Sequence, residues 1–195
     1  MKEQPLSIIA PLCSKPAAFA GFETLDDPEL EKMLAQSAQF LREVIAGGPP
    51  RWLSFIGKCG TGKTFLANLL FGEVKRVPKM MQSRTLINPV KQFYWPRLLS
   101  RLRDQEYWLL SELAECNFLF LDELSLEHYP SGFAGDRLCE LLSVRVGRWT
   151  MITSNLTMEQ IGQIYTRIPS RMIRNRSVVV QVNTVDFNLR AKAAL

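Results

Sequence analysis

A glycine-rich octapeptide offers the clearest chemistry in this 195-residue sequence. It fits the phosphate-loop pattern G-x-x-x-x-G-K-[ST] at every fixed position, with an apolar run before it and helix-forming residues after it. Backbone N–H groups in such a loop, together with the positive N-terminus of the following helix, face an anion. The pattern therefore predicts a nucleotide phosphate site, the alternative being a glycine-rich turn that matches by chance. The octapeptide is Gly57-Lys58-Cys59-Gly60-Thr61-Gly62-Lys63-Thr64.

The residues at the end of this loop have predicted roles of their own. Lys63 is expected to reach the β- and γ-phosphates, and Thr64 to place its hydroxyl on Mg²⁺, an ion that prefers oxygen ligands. Phe65 follows the motif and completes the predicted nucleotide-binding set of residues 57–65. Cys59 fills a position that the pattern leaves unrestricted.

Two adjacent carboxylates close an apolar stretch later in the chain. Residues 117–121 read Asn-Phe-Leu-Phe-Leu and are predicted to form a buried strand, which Asp122 and Glu123 follow. The first acid of such a pair supports Mg²⁺ through its water shell in phosphoryl-transfer proteins. Glu123 then stands where a general base can orient and deprotonate a water for attack on the γ-phosphate. An ordinary strand that ends in solvated acids is the alternative.

A third polar group follows another predicted strand, at Thr153-Ser154-Asn155. In a parallel sheet the carboxyl ends of the strands lie along one edge, where ligands bind. Asn155 is therefore expected to reach the attacking water or the γ-phosphate. Taken alone, the same residues would also suit a turn or a helix N-cap.

Strands and helices are predicted to alternate along the chain, which indicates an α/β fold with a parallel sheet covered on both faces. Asp27 and Pro28 are predicted to cap a first helix, which ends at the Gly-Gly-Pro-Pro run of residues 47–50. Residues 73–91 show only weak periodicity. The predicted strands cover residues 52–56, 92–95, 117–121, 149–153 and 177–182, and the further helices cover residues 65–71, 96–103, 105–114, 134–146 and 158–164.

Composition indicates one domain, residues 26–195, preceded by an extended or partly ordered arm, residues 1–25, that contains three prolines. A hydrophobic content of 47% suffices for one core. No apolar run approaches the ~20 residues of a membrane span, and the first residues lack the apolar stretch of a secretory signal. We therefore expect a cytoplasmic protein without a membrane segment. Four scattered cysteines and one histidine suggest neither a zinc site nor a disulfide framework.

The net charge of +5 is distributed unevenly. Residues 72–103 contain eight Lys or Arg and one Glu, and residues 165–195 contain six Lys or Arg and one Asp. Such segregation suits a polyanion partner, although a solvated basic face is an equal alternative. The aromatic residues Phe93-Tyr94-Trp95 lie among these cations and could stack on unpaired bases, although a buried strand is the favoured interpretation.

Four motifs in this order resemble those of AAA+ ATPases of the DnaC/DnaI helicase-loader and IstB transposition-helper group. The resemblance covers roughly residues 20–190. Besides the phosphate loop, the motifs are Leu119-Phe120-Leu121-Asp122-Glu123, Ile152-Thr153-Ser154-Asn155-Leu156 and Arg167-Ile168-Pro169-Ser170-Arg171-Met172.

The resemblance implies a three-layer αβα P-loop NTPase fold with a five-stranded parallel sheet. Asn155 matches the first sensor of the group, and Arg171 matches an arginine finger that serves a neighbouring subunit's ATP, with a helix-end cation as the alternative. Only 13 residues follow residue 182, too few for a full C-terminal helical lid. Phe187-Asn188-Leu189-Arg190 replaces the group's Ser-Tyr-Arg, so Arg190 is the candidate second sensor of the γ-phosphate.

The expected function is thus that of a Mg²⁺-dependent ATPase that acts on DNA, as a DnaC-like helicase loader in replication. The expected partners are ATP, single-stranded DNA, a replicative helicase or a transposase, and further copies of the chain in a nucleotide-dependent homo-oligomer. Loaders of the group usually carry a separate helicase-binding domain, and we expect the residues before the first core strand to form at most one long helix. An IstB-like transposition helper, a P-loop small-molecule kinase and a nucleotide-dependent scaffold with negligible hydrolysis are the alternatives.

Overall fold

A parallel sheet of five strands forms the centre of the protein, as the alternating pattern predicts. The computed structural model describes residues 17–80, 89–124, 132–174, 177–186 and 189. The strand order is β2–β3–β4–β1–β5, and all four neighbouring pairs are parallel. The carboxyl ends of the strands therefore lie along one edge. The strands are β1 (Trp52–Gly57), β2 (Val90–Tyr94), β3 (Phe118–Leu124), β4 (Trp149–Ser154) and β5 (Val178–Val182).

Helices cover both faces of this sheet, which confirms the three-layer αβα architecture. Successive strand side chains point to opposite faces, so Phe118 and Phe120 pack under α1 and α2, whereas Leu119 and Leu121 pack under the remaining helices. Within the described ranges no helix is long and apolar enough to cross a membrane. The helices are α1 (Pro28–Ile45), α2 (Lys63–Met80), α3 (Trp95–Arg103), α4 (Trp108–Glu115), α5 (Phe133–Ser143), α6 (Met158–Ile164) and α7 (Ile168–Met172).

Helix α1 begins where its capping residues predict. Asp27 Oδ1 accepts hydrogen bonds from the N–H groups of Glu29 at 2.9 Å and Leu30 at 3.3 Å, and Pro28 occupies the first helical position. Of the predicted arm, residues 1–16 lie outside the described residues. A short 3₁₀ helix, Ala17–Phe19, opens the part that is described, and Phe19 and Phe22 are buried against α1 and α2.

Several predicted boundaries are wrong, in each case because tertiary packing or a local dihedral angle decides the outcome. Helix α2 continues through the weakly periodic segment, since Val74 and Val77 extend its buried face by further turns. Trp95 begins α3 and is fully buried there rather than ending β2. Gln105 has a φ of 65°, which delays α4 to Trp108. Helix α5 ends at Ser143, before the predicted Val146, and α7 was not predicted.

A buried arginine joins the amino ends of β3 and β4. Arg145 is fully buried, and its guanidinium donates to the carbonyl oxygens of Leu113 at 2.8 Å, Cys116 at 2.7 Å and Trp149 at 2.5 Å, and to Thr150 Oγ1 at 2.9 Å. Burial lowers the pKa of Arg145 to about 10, which leaves the side chain cationic at neutral pH. These bonds hold the edge of the sheet opposite the carboxyl ends.

Candidate nucleotide-binding site

The predicted phosphate loop connects β1 to α2 in a conformation that requires glycine. Gly57, Gly60 and Gly62 have φ values of 114°, 74° and 88°, a region that other L-residues rarely adopt. A Cβ atom on Gly57 would lie 2.2 Å from the carbonyl oxygen of Val182, and one on Gly62 would lie 3.0 Å from the ring of Phe22. The loop therefore curls closely, as phosphate binding by backbone N–H groups demands.

Lys63 folds back onto this loop. Its Nζ donates to the carbonyl oxygen of Lys58 and lies 3.2 Å from Thr61 Oγ1, while the residue is only 4% exposed. Burial lowers the pKa of Lys63 to about 8, and the nearby Cys59 and Glu123 oppose part of that decrease. In this conformation the ammonium group binds loop oxygens, so it must exchange these partners to bind a phosphate.

The predicted magnesium residues lie together although they are far apart in the sequence. Thr64 Oγ1, in the first turn of α2, donates to Asp122 Oδ1 on β3 at 3.0 Å. Thr153 Oγ1 on β4 donates to the same oxygen at 2.5 Å. A hydroxyl and a carboxylate are the oxygen donors that Mg²⁺ prefers. Thr64 and Asp122 thus fit the ion, and in this conformation the Thr64 hydroxyl is hydrogen-bonded to Asp122.

Glu123 stands at an irregularity of β3. The pairing with β4 shifts register between Leu121 and Leu124, and Glu123 has a φ of 60°. This left-handed conformation is uncommon for a residue other than glycine and is retained where surrounding contacts enforce it. Here the N–H group of Glu123 donates to Thr153 Oγ1 at 2.9 Å. The bulge re-aims the side chain, as bulges beside active sites often do.

Asn155 meets Glu123 across the ends of β3 and β4. Its Nδ2 lies 3.4 Å from Glu123 Oε1, and both side chains belong to the carboxyl edge of the sheet. The neighbouring Ser154 is used differently, because its hydroxyl donates to the carbonyl oxygen of Leu124 and accepts from the N–H group of Leu156. The structure therefore brings together the predicted acid, the predicted amide and the phosphate loop at one edge.

Thr153 was not among the residues predicted for this site, although it contacts two of them. One hydroxyl donates to Asp122 and accepts from the backbone of Glu123, so it positions both acids at once. The available signal was its place in the Thr-Ser-Asn run at the end of a strand. The register shift that brings the N–H group of Glu123 to it has no local signature in the sequence.

No family model and no curated protein sequence matches the chain. Among solved structures, a crystal structure of DnaI is similar with a TM-score of 0.68 and 23% identity, covering 86% of this chain and 92% of that chain. A crystal structure of the DnaC helicase loader has a TM-score of 0.66 and 17% identity, covering 85% and 96%. The chain has a DnaC-like AAA+ fold.

A third AAA+ structure is similar at a lower level. It is the replication initiator DnaA bound to AMPPCP and single-stranded DNA, with a TM-score of 0.53 and 13% identity, covering 77% of this chain and 46% of that chain. The AAA+ fold explains why residues 57–64, 122–123 and 153–155 converge, because each group lies at the carboxyl end of a strand along the same edge of one parallel sheet.

Two predicted arginines are not part of this convergence. Arg171 lies on α7 and lines a surface pocket with Trp52, at the amino end of β1. Trp52 and Gly57 are the two ends of a six-residue strand, so about 16 Å of β1 separate this pocket from the phosphate loop. Within this AAA+ fold Arg171 is thus remote from the phosphate loop of its own chain. Arg190 lies outside the described residues.

The aromatic run of the first basic segment is only partly buried, because Trp95 lies in the core whereas Tyr94 on β2 is 45% exposed. Tyr107 and Trp108, at the start of α4, expose 48% and 58% of their surface. The guanidinium of Arg101 lies 5.7 Å from the ring centroid of Trp108, and that of Arg137 lies 6.0 Å from the ring of Tyr107. We call the surface formed by Arg101, Tyr107, Trp108 and Arg137 the α3–α4 corner.

Proposed function

We propose that the chain binds ATP with Mg²⁺ and hydrolyses it, and that it acts on DNA in replication as a helicase loader. The observation that supports this proposal most directly is the meeting of Thr64 and Asp122 beside the Glu123–Asn155 pair. The first pair fits a metal ion at a phosphate, and the second fits a water. Both pairs adjoin a loop shaped for phosphates.

Each residue of the site has a defined part in this proposal. Lys63 would exchange its bonds to Lys58 and Thr61 for phosphate oxygens, and Thr64 and Asp122 would hold the metal ion. A bound Mg²⁺ would neutralise charge on the phosphates. Glu123 accepts a proton from the attacking water, and Asn155 holds that carboxylate in place through its amide. Positioning and electrostatics supply the catalysis.

Two substitutions test the ATPase proposal. Lys63→Ala should abolish ATP binding in a calorimetric titration, because the phosphates lose their buried cation. Glu123→Gln should bind ATP normally but hydrolyse it about 10²- to 10⁴-fold more slowly, as expected for loss of a general base. Glu140→Gln, an exposed acid on α5, is the matched control and should match the wild type. Unchanged ATP affinity in Lys63→Ala would refute the site, and unchanged turnover in Glu123→Gln would refute the assigned base.

Single-stranded DNA is the proposed macromolecular ligand, and the α3–α4 corner is its proposed surface. Exposed aromatic rings beside guanidinium groups suit stacked, unpaired bases, which contribute about 1–3 kcal/mol each. The similar DnaA structure contains single-stranded DNA. Trp108→Ala should weaken binding of a labelled oligonucleotide roughly 5- to 150-fold, whereas Trp108→Phe should retain most of it. Equal affinities for the wild type and Trp108→Ala would exclude this surface.

The proposed client is a replicative helicase, because one of the similar structures is that of a helicase loader. The tagged chain, with ATP, is expected to retain the replicative helicase of its own organism when the two are co-expressed. Retention of a transposase instead would favour the transposition-helper alternative. Retention that does not depend on Lys63 would separate the client interaction from nucleotide binding.

A further inference from the structure

The residues that leave β5 are fastened to the start of α1. Glu29 Oε2 accepts from the N–H groups of Asn183 at 2.6 Å and Thr184 at 3.0 Å. The hydroxyl of Thr184 donates to Asp27 Oδ2. We call residues 183–186 the exit segment. Two acids at the start of α1, the N-cap Asp27 and Glu29, therefore hold this segment where it leaves the sheet.

That path leads across the phosphate loop. The N–H group of Lys58 donates to the carbonyl oxygen of Val182 at 3.0 Å, which joins the loop to the end of β5. Four residues later, the carboxylate of Asp186 lies directly against the loop backbone. A Cβ atom on Gly60 would lie 1.6 Å from Asp186 Oδ2 and 2.4 Å from Asp186 Cγ. The absence of a side chain at Gly60 is what admits the carboxylate.

The carboxylate of Asp186 lies beside a loop whose geometry suits anions. Gly60 has a φ of 74°, α2 begins three residues later, and the ammonium of Lys63 is buried in the same loop. Lys63 meanwhile binds the loop's own oxygens rather than facing outward. Incoming phosphates would bring further negative charge beside Asp186, and like charges at such short range repel strongly where water is partly excluded.

We propose that Asp186 is a built-in competitor of the nucleotide phosphates, so that its carboxylate must leave Gly60 before the loop closes around ATP. The proposal rests on the proposed function, because it presumes that the loop takes a nucleotide. Departure of Asp186 moves the exit segment, which is bonded to Asp27 and Glu29. ATP binding is thereby coupled to the start of α1, and the competing carboxylate lowers the affinity for ATP.

Asp186→Asn tests this directly, because it removes the charge and keeps the shape. Its affinity for ATP, measured by calorimetry, should rise about tenfold over that of the wild type. Its affinity for adenosine, which has no phosphate, should not change. Glu115→Gln is the matched control, since Glu115 is an exposed acid at the amino end of β3, on the opposite edge of the sheet. This control should bind ATP as the wild type does.

A second variant tests the hydrogen bonds that hold the exit segment, rather than the charge of Asp186. Glu29→Gln weakens the bonds to Asn183 and Thr184, so the exit segment should leave more easily and ATP should bind more tightly, by about threefold. Thermal unfolding of each variant verifies that the fold is retained.

The outcomes separate this inference from the proposed function. If the wild type binds ATP and Asp186→Asn binds it equally or more weakly, the competitor role is wrong and the ATPase proposal stands. A gain for adenosine as large as that for ATP would also overturn the role, because charge competition acts on phosphates alone. If neither the wild type nor Asp186→Asn binds ATP, both proposals fail.

Discussion

Replacing Thr153 with valine removes one hydroxyl and tests the organisation of the whole site. Thr153 Oγ1 donates to Asp122 Oδ1 at 2.5 Å and accepts from the N–H group of Glu123 at 2.9 Å. Valine has nearly the same shape, so the packing of β4 is retained while both hydrogen bonds are lost. Thr153 is a positioning residue in this proposal, because it acts only through the two acids.

The expected effect follows from these two bonds. A hydrogen bond to a charged group contributes about 1.5–3 kcal/mol, and an unsatisfied buried donor costs about 1–3 kcal/mol. The N–H group of Glu123 would lose its partner in a backbone conformation that is already strained, with a φ of 60°. If about 2–3 kcal/mol of this falls on the transition state, kcat decreases about 30- to 150-fold. The KM for ATP should change much less, because Lys63 and the loop keep their contacts.

The assay is steady-state hydrolysis of ATP with Mg²⁺ by the wild type, Thr153→Val and Thr153→Ser. Serine keeps the hydroxyl and loses only a methyl group, so Thr153→Ser should remain within about threefold of the wild type. Urea unfolding of the three proteins verifies that the fold survives. Turnover by Thr153→Val within about twofold of the wild type would refute the reasoning. An equally slow Thr153→Ser would do the same, since packing rather than hydrogen bonding would then be responsible.

Three further predictions follow from the charged groups. Burial lowers the pKa of Lys63 to about 8 and a bound phosphate raises it, so ATP binding takes up a proton above pH 8. Calorimetry should therefore show the affinity for ATP falling by up to tenfold per pH unit above pH 8, and Lys63→Arg should abolish this pH dependence. Arg145→Met should lower the free energy of unfolding in urea by about 3–5 kcal/mol, because buried carbonyl groups lose their donor, whereas Arg137→Met removes a partly exposed ion pair and should cost under about 1 kcal/mol. Arg171→Ala should bind ATP but hydrolyse it about 10³-fold more slowly, and mixing it with Glu123→Gln should restore turnover; a mixture no faster than its components would contradict a finger supplied by another copy.

The sheet and the edge at which the candidate site lies were predictable because their signals are local. An apolar run followed by a glycine-rich loop specifies a strand and a turn, and Asp27 with Pro28 specifies a helix start. The parallel arrangement then follows from alternation of strands and helices, and it brings residues 122–123 and 155 to the same edge without further information. Each step needs only a short stretch of sequence.

Other features were not predictable because they depend on contacts between distant residues. The bulge at Glu123 is stabilised by the hydrogen bond from its N–H group to Thr153 Oγ1, 30 residues away in sequence. The carboxylate of Asp186 lies against Gly60 at the end of a segment whose N–H groups bond to Glu29, more than 150 residues away in sequence. Trp95 was expected to continue a strand, but its indole packs in the core beneath α3, and the helix begins at this residue.

The length of β1 limits what a single copy of the chain can do. Arg171 lies in a pocket with Trp52, and the phosphate loop begins at Gly57, about 16 Å further along the strand. An arginine side chain is too short to span that distance. If Arg171 acts on a nucleotide, that nucleotide must therefore belong to another copy. Hydrolysis should then rise more steeply than linearly with protein concentration, while ATP binding, which needs only the residues at the carboxyl edge, should not.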